Sequence, residues 1–175
     1  VGIVTAADLA RAPFFGGMGH GGLSRLATAA RFAGFPAGRR LFAEDDPAER
    51  FWLVRDGSVA VDLHVAGHGS VVVETLGPDS VLGWSWLFPP HRWRSGGVAC
   101  TPVRAVEFDG RLVRTLCAVD PSLGHELTRR FAELVVQRLE AARARLADPS
   151  RAETPERGTR LGTKVPNGDQ HRPRG

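Results

Sequence analysis

Leu82-Gly83-Trp84-Ser85-Trp86-Leu87-Phe88-Pro89-Pro90-His91-Arg92-Trp93-Arg94-Ser95 is the stretch around which the rest of the chain arranges itself. It sets three tryptophans, two prolines and two arginines in one turn-rich segment between two runs that read as strands. A glycine at the end of the apolar run Val81-Leu82 lets the backbone turn sharply or approach another group without a Cβ clash. The proline pair excludes a continuous helix and a central strand. Arg92 and Arg94 carry the planar fork of N–H donors that holds phosphate or carboxylate, and Trp84, Trp86 and Trp93 can wall off water or stack on a base. The segment therefore reads as a pocket or as the plug of one. The competing reading makes the tryptophans core and the arginines solvated surface.

Working outward, the flanking segments carry strand period. Phe51-Trp52-Leu53-Val54 is a buried run, Asp56-Gly57 a hairpin-turn dipeptide, and Val59, Val61, Leu63 and Val65 alternate with Ala60, Asp62 and His64. Gly67-His68-Gly69 turns the chain into Val71, Val72, Val73 and Leu76, and Gly77-Pro78-Asp79 turns it again. Arg40 to Ala43 forms another short strand, and Val98 to Cys100 and Val103 to Phe108 add two more. Short strands separated by turn signals predict an antiparallel sandwich or barrel.

Helices are expected at both ends. Leu23, Leu26, Ala27, Ala30 and Ala33 repeat at helical spacing, with Gly34 as the C-terminal stop. Residues 1–34 are accordingly taken as an N-terminal helical segment and 35–147 as the barrel with its C-terminal helices. Asp109 to Cys117 reads as a short helix. Asp120-Pro121 then places an N-cap before a proline in the first helical turn. Leu123, Leu127, Phe131, Leu134, Val135, Leu139, Ala142 and Leu146 extend that helix to about Ala147, roughly 39 Å long. Such a length exceeds what one small barrel covers: Leu127, Phe131, Leu134 and Leu139 cannot all be covered by it, so the C-terminal half of the helix, with Val136 and Leu139, is expected to reach a partner helix and form a homodimer. Residues 148–175 have no apolar period and are expected to form a disordered basic tail.

Charge and cysteine content restrict the function classes. The chain of 175 residues carries a net charge of +4. Six of its Lys and Arg against three acids lie in 149–175, which leaves a nearly neutral body, unlike a dedicated nucleic-acid surface. Cys100 and Cys117 are too few and too far apart for a zinc ribbon or an iron–sulfur cluster, and read as small core residues of a reducing compartment. With no long apolar run, a cytoplasmic protein without membrane contact is expected.

The ordered set Pro13-Phe14-Phe15, Pro36-Ala37-Gly38 with Leu41-Phe42, Asp46-Pro47-Ala48, Phe51 to Val54 with Gly57-Ser58-Val59, Leu76-Gly77-Pro78 with Leu82-Gly83, and Val103 to Asp109 resembles the cyclic-nucleotide-binding-domain superfamily. These are the sensor domains of catabolite-activator and FNR-type regulators. The resemblance covers about Phe14 to Leu146. It implies an eight-stranded jelly roll (a double-stranded β-helix, RmlC-like) followed by a long C-terminal helix, with a pocket under the Gly83 loop. It further implies a phosphate cassette. In the family, backbone N–H groups and an Arg hold the cyclic phosphate, and a Glu after the Gly accepts the ribose hydroxyl.

Here Trp84 follows Gly83, and an ungapped count puts Trp93 at the arginine position, with Arg92 and Arg94 on either side. The ligand-contacting set is therefore Gly83, Trp84, Ser85, Trp86, Arg92, Trp93 and Arg94, with at most one of the two arginines expected to face the pocket. The expected function is a stand-alone regulatory sensor with altered or lost cyclic-nucleotide binding. Its ligand would be a small anion, with neither a helix-turn-helix nor direct DNA contact, and no cofactor unless a cyclic nucleotide binds. One alternative is a dimerising adaptor for an unknown protein partner, its pocket filled by its own tryptophans. A second is a cupin-like metal enzyme using His64, His68 and Glu74, although the usual His-x-His with a following Glu is absent. No catalytic or metal-binding residue is assigned, because Ser85 and Ser95 lack any context that marks an activating base.

Overall fold

The computed structural model describes residues 2–147. Eight strands form two four-stranded antiparallel sheets. One has the order β1-β8-β3-β6, from Ala30–Phe35, Val103–Asp109, Arg50–Asp56 and Val81–Leu82. The other has the order β2-β7-β4-β5, from Arg40–Phe42, Gly96–Ala99, Val59–Val65 and Gly69–Leu76. Helices α1 (Ala6–Ala10) and α2 (His20–Thr28) precede the sheets, and α3 (Gly110–Val119) and α4 (Pro121–Ala147) follow them. Antiparallel sheets are what the strand spacing predicts, and a jelly roll with a long terminal helix is what the resemblance implies. The described residues divide after Arg138 into a large compact unit, residues 2–138, and the end of α4, residues 139–147. The expected tail at 148–175, with the absence of a helix-turn-helix read from it, lies outside the described residues.

The two faces of the first sheet build two aromatic layers. Phe51 and Phe108 are cross-strand partners whose rings stack at 4.4 Å. Phe15, from the turn after α1, meets Phe108 at 5.9 Å, and Phe131 of α4 meets Phe51 edge-on at 5.4 Å. Trp52, on the opposite face, lies between the sheets and stacks on Phe42 of β2 at 5.6 Å. Val4, Leu9, Leu23 and Leu26 belong to the same buried core as the strands. The N-terminal helices therefore pack as part of the jelly roll.

Three local expectations are corrected. The α2 helix stops at Thr28, and Ala30 to Phe35 form a strand on β8 in which Gly34 opposes Arg104. Alanine at positions 30 and 33 fits either period, and the free edge of β8 decides in favour of a strand. Asp56-Gly57 does not close a hairpin within one sheet: β3 and β4 lie in different sheets, so the turn carries the chain across the sandwich. Gly57 has φ +83°, and a Cβ there would lie 2.2 Å from the Pro102 carbonyl oxygen. Cys100 is exposed; Cys117 is partly buried, and burial pushes its thiol pKa up.

In α4 the barrel covers part of the apolar stripe and leaves the rest exposed, in keeping with the helix's length. Leu127 and Phe131 are fully buried and Leu134 packs against the core, so these three are covered within the chain. The exposed apolar residues of the helix are Val136, Leu139 and Leu146. Its start is as expected, with Asp120 Oδ1 accepting from the Ser122 and Leu123 amides at 3.2 Å.

A forked ion pair clasps the second sheet. Arg40 of β2 donates a fork to Asp62 of β4 at 3.0 and 2.8 Å. Those hydrogen bonds hold the buried Asp62 carboxyl below its ordinary value of 3.8, with burial opposing them. Because the folded-state pKa is the lower one, the contribution is complete above the unfolded value and is lost as pH falls through the folded value. Asp62→Asn should therefore reduce the loss of stability below about pH 4, by roughly 1 kcal/mol given that Arg40 is half in water. Urea titrations of both proteins across that range check this; parallel curves would exclude it.

Candidate functional site

The Trp-rich stretch is held at both ends. Leading into it, β6 pairs Leu82 with Trp52. At its far end, Trp93 exchanges backbone hydrogen bonds with Asp45 and Asp46 at 2.9 Å each, and the Ala48 amide donates to the His91 carbonyl at 2.8 Å. This pairing fixes which side chains enter. Residues two apart in an extended segment share a side; Arg92 and Arg94 therefore both face solvent, and Trp93 between them is buried. The expectation that one arginine at most turns inward resolves to neither. Arg92 instead donates to the Asp45 carbonyl at 2.5 Å and braces the turn.

Two of the tryptophans enter different layers. Trp93 goes between the sheets, stacking on Phe42 at 4.1 Å with Trp52 5.9 Å away. Gly83, at φ +90°, lies directly against that indole, and a Cβ on Gly83 would stand 2.7 Å from it. The space under the Gly83 loop is thus occupied by the Trp93 ring. Trp86 turns the other way, stacking on Phe51 at 4.6 Å and meeting Phe131 edge-on at 5.3 Å. Its carbonyl accepts from Arg114 of α3 at 2.6 Å, which ties the loop to the helices. The Trp86 Nε1–H is buried without a hydrogen-bond partner among the described residues. Trp84 is half-buried beside Phe88, and Ser85 is buried.

A second polar centre lies between the sheets. Glu107 of β8 is 5% exposed and accepts from Trp52 Nε1 at 2.9 Å and from Arg31 Nε at 2.8 Å. Arg50 also pairs with it. This group is absent from the sequence-based set, although an acid inside the apolar run Val103 to Phe108 was a usable signal. A third tie involves Arg138 of α4, which donates to the Val81 carbonyl at the start of β6 and stands 3.8 Å from Glu74. Burial pulls the Arg138 pKa down and Glu74 opposes it. His64 and His68 are exposed, and Glu74 faces Arg138, so the three do not gather as the metal-enzyme alternative requires. Among the described residues no three His, Cys, Asp or Glu side chains form a metal-holding group, and no helix is long and apolar enough to cross a membrane.

A loop opened by a positive-φ glycine between β6 and β7 of a jelly roll, with helices closing one side, is the arrangement the resemblance implies. Residues 33–120, just over half of the chain, match the family model described as the cyclic nucleotide-binding domain. The chain belongs to the cyclic nucleotide-binding domain family. It is 29% identical over 140 residues to the CRP-like cAMP-activated global transcriptional regulator of Mycobacterium tuberculosis. That match takes in 80% of this chain and 61% of the regulator, so the chain spans about three-fifths of its relative's length. A solved structure from Geobacter metallireducens GS-15, provisionally described as a cyclic nucleotide-binding protein, superposes with a TM-score of 0.70 and 26% identity. It covers 78% of this chain and 98% of its own. The cAMP-binding acyltransferase of Mycobacterium smegmatis superposes with a TM-score of 0.58 and 29% identity, over 78% of this chain and 40% of its own. The chain thus carries a cyclic nucleotide-binding domain and is related to CRP-like regulators.

Proposed function

We propose that this member of the cyclic nucleotide-binding domain family is a regulatory, non-catalytic domain whose nucleotide seat is taken by its own aromatic side chains. Cyclic AMP and cyclic GMP then bind very weakly or not at all. The observation that carries this reading is the Trp93 indole packed against Gly83 and stacked on Phe42. Both cassette charges are also displaced: Trp84 stands where the family has the ribose-binding Glu, and Arg92 and Arg94 face solvent. A lost hydrogen bond in a desolvated site costs about 1–3 kcal/mol, or roughly one to two decades of affinity, before the clash with an indole is counted. In the same reading the domain self-associates through α4, whose Val136 stays exposed after the barrel is covered.

Calorimetric titration with cyclic AMP tests the proposal. The expected result is no saturable heat at low micromolar ligand. Tight binding that is lost on changing Arg92 or Arg94 to Ala would mean that the loop rearranges to an ordinary nucleotide seat, and the reading would fail.

A further inference from the structure

A cavity far from the Gly83 loop combines a partly engaged cation with an apolar floor. Gly83 adjoins the carbonyl of Arg50, the first residue of β3. Arg55 lies five residues further on, about 16 Å along an extended strand. There an open cavity of about 650 Å³ is bounded by Phe32 and Gly34 of β1, Arg104 and Ala105 of β8, and Arg55 and Asp56 of β3. Its size falls within the range of small-molecule sites.

The charges in it are unequal. Asp56 is engaged by Arg104, whose Nε donates to it at 2.6 Å, so that pair is neutral. Arg55 donates one N–H to the Asp8 carbonyl at 2.9 Å, and among the described residues its other four donors have no partner. The nearest acid on α1, Asp8, turns its carboxylate to the Thr5 amide and hydroxyl at 2.9 and 2.7 Å. Asp8 is also shared with Arg11, which acts on it ahead of Arg55; summed over the lining residues Arg55, Asp56 and Arg104, the cavity carries one net positive charge, on a fork suited to a carboxylate. Its floor is Phe32, an aromatic residue left 42% exposed, beside the flat backbone of Gly34. A bound ring can stack on Phe32, and a single carboxylate balances the single charge, whereas a dianionic phosphate would leave one charge over.

We propose that this cavity is a ligand site for a small aromatic monocarboxylate, separate from the loop at Gly83. It is independent of whether a cyclic nucleotide binds there. Gly34 supplies the blocking variant: a Cβ built on it meets only the Val103 carbonyl oxygen, at 3.8 Å, so a leucine side chain fits the backbone and fills the cavity.

The test is a titration of the isotope-labelled full chain with 2-naphthoate, read by amide chemical shifts. The expected result is saturable shifts at Phe32 to Gly34, Arg55 and Ala105, half-complete at or below about 1 mM. Arg55→Gln should weaken this about tenfold, and Gly34→Leu should abolish it at an unchanged melting temperature. If Gly34→Leu does not fold, Phe32→Ser is the second variant, and it should weaken naphthoate while leaving the Arg55 response to acetate unaltered. Acetate and 2-naphthamide separate the charge from the ring, and each should bind more weakly than naphthoate. No saturable shift, or shifts that persist in a folded blocking variant, would overturn the proposal, as would acetate binding as well as naphthoate.

Discussion

Trp86→Ala is expected to destabilise the folded chain by about 3–5 kcal/mol, while Trp86→Phe should cost less than about 1.5 kcal/mol. Trp86 is fully buried and reaches the helix-side core between Phe51 and Phe131. Alanine removes both ring contacts and leaves a cavity bounded by β3, α4 and the loop itself. Phenylalanine keeps a ring in the stack and removes an indole N–H that is buried without a partner among the described residues; leaving such a donor unpaired costs on the order of 1–3 kcal/mol, which offsets part of the lost volume. Urea denaturation of the three proteins provides the measurement. Equal losses for the two variants would mean that the N–H is satisfied and the ring contacts contribute little.

The second large effect concerns α4. Val136→Glu should convert a dimer into a monomer, weakening association at least tenfold, because the isologous contact would bring two carboxylates together in a desolvated seam. The stripe Ala132, Val136, Leu139, Arg143 and Leu146 has alternating spacings of four and three, which is the spacing of a coiled-coil seam. Val136 and Leu139 are 52% and 49% exposed, so neither is used up by the core. For the same reason the substitution should leave the melting behaviour of the barrel nearly unaltered. Light scattering at micromolar concentration is decisive: a wild-type mass near the 18.9 kDa of one chain would rule the contact out. Leu127 and Phe131 turn inward, while Val136 and Leu139 in the C-terminal half of the helix stay exposed.

Much of the jelly roll follows from local pattern. The run Phe51 to Val54, the alternation from Val59, the turns at Gly67 and Gly77, the Asp109 cap of α3 and the Asp120-Pro121 start of α4 are each decided within a few residues. So is the presence of a sharp glycine turn at Gly83 ahead of the aromatic loop. What the short-range pattern could not settle is partnership. Ala30 to Phe35 became a strand because β8, far along the chain, offered an edge where Ala33 opposes Ala105 and Gly34 opposes Arg104.

The direction of each tryptophan depends in the same way on distant pairing. Trp93 turns inward, and both arginines outward, because residues 91–93 are bonded to Asp45, Asp46 and Ala48. Trp86 turns to the other layer because Arg114 and Phe131 lie there. Glu107 and Arg55, one a buried acceptor and one a cation lining a cavity, are ordinary residues in sequence and distinctive only by their surroundings. Residue type and period determine which elements form and where they turn. Which face a side chain takes, and whether its charge is matched, depends on contacts made across the sheets, and those exist only in the folded chain.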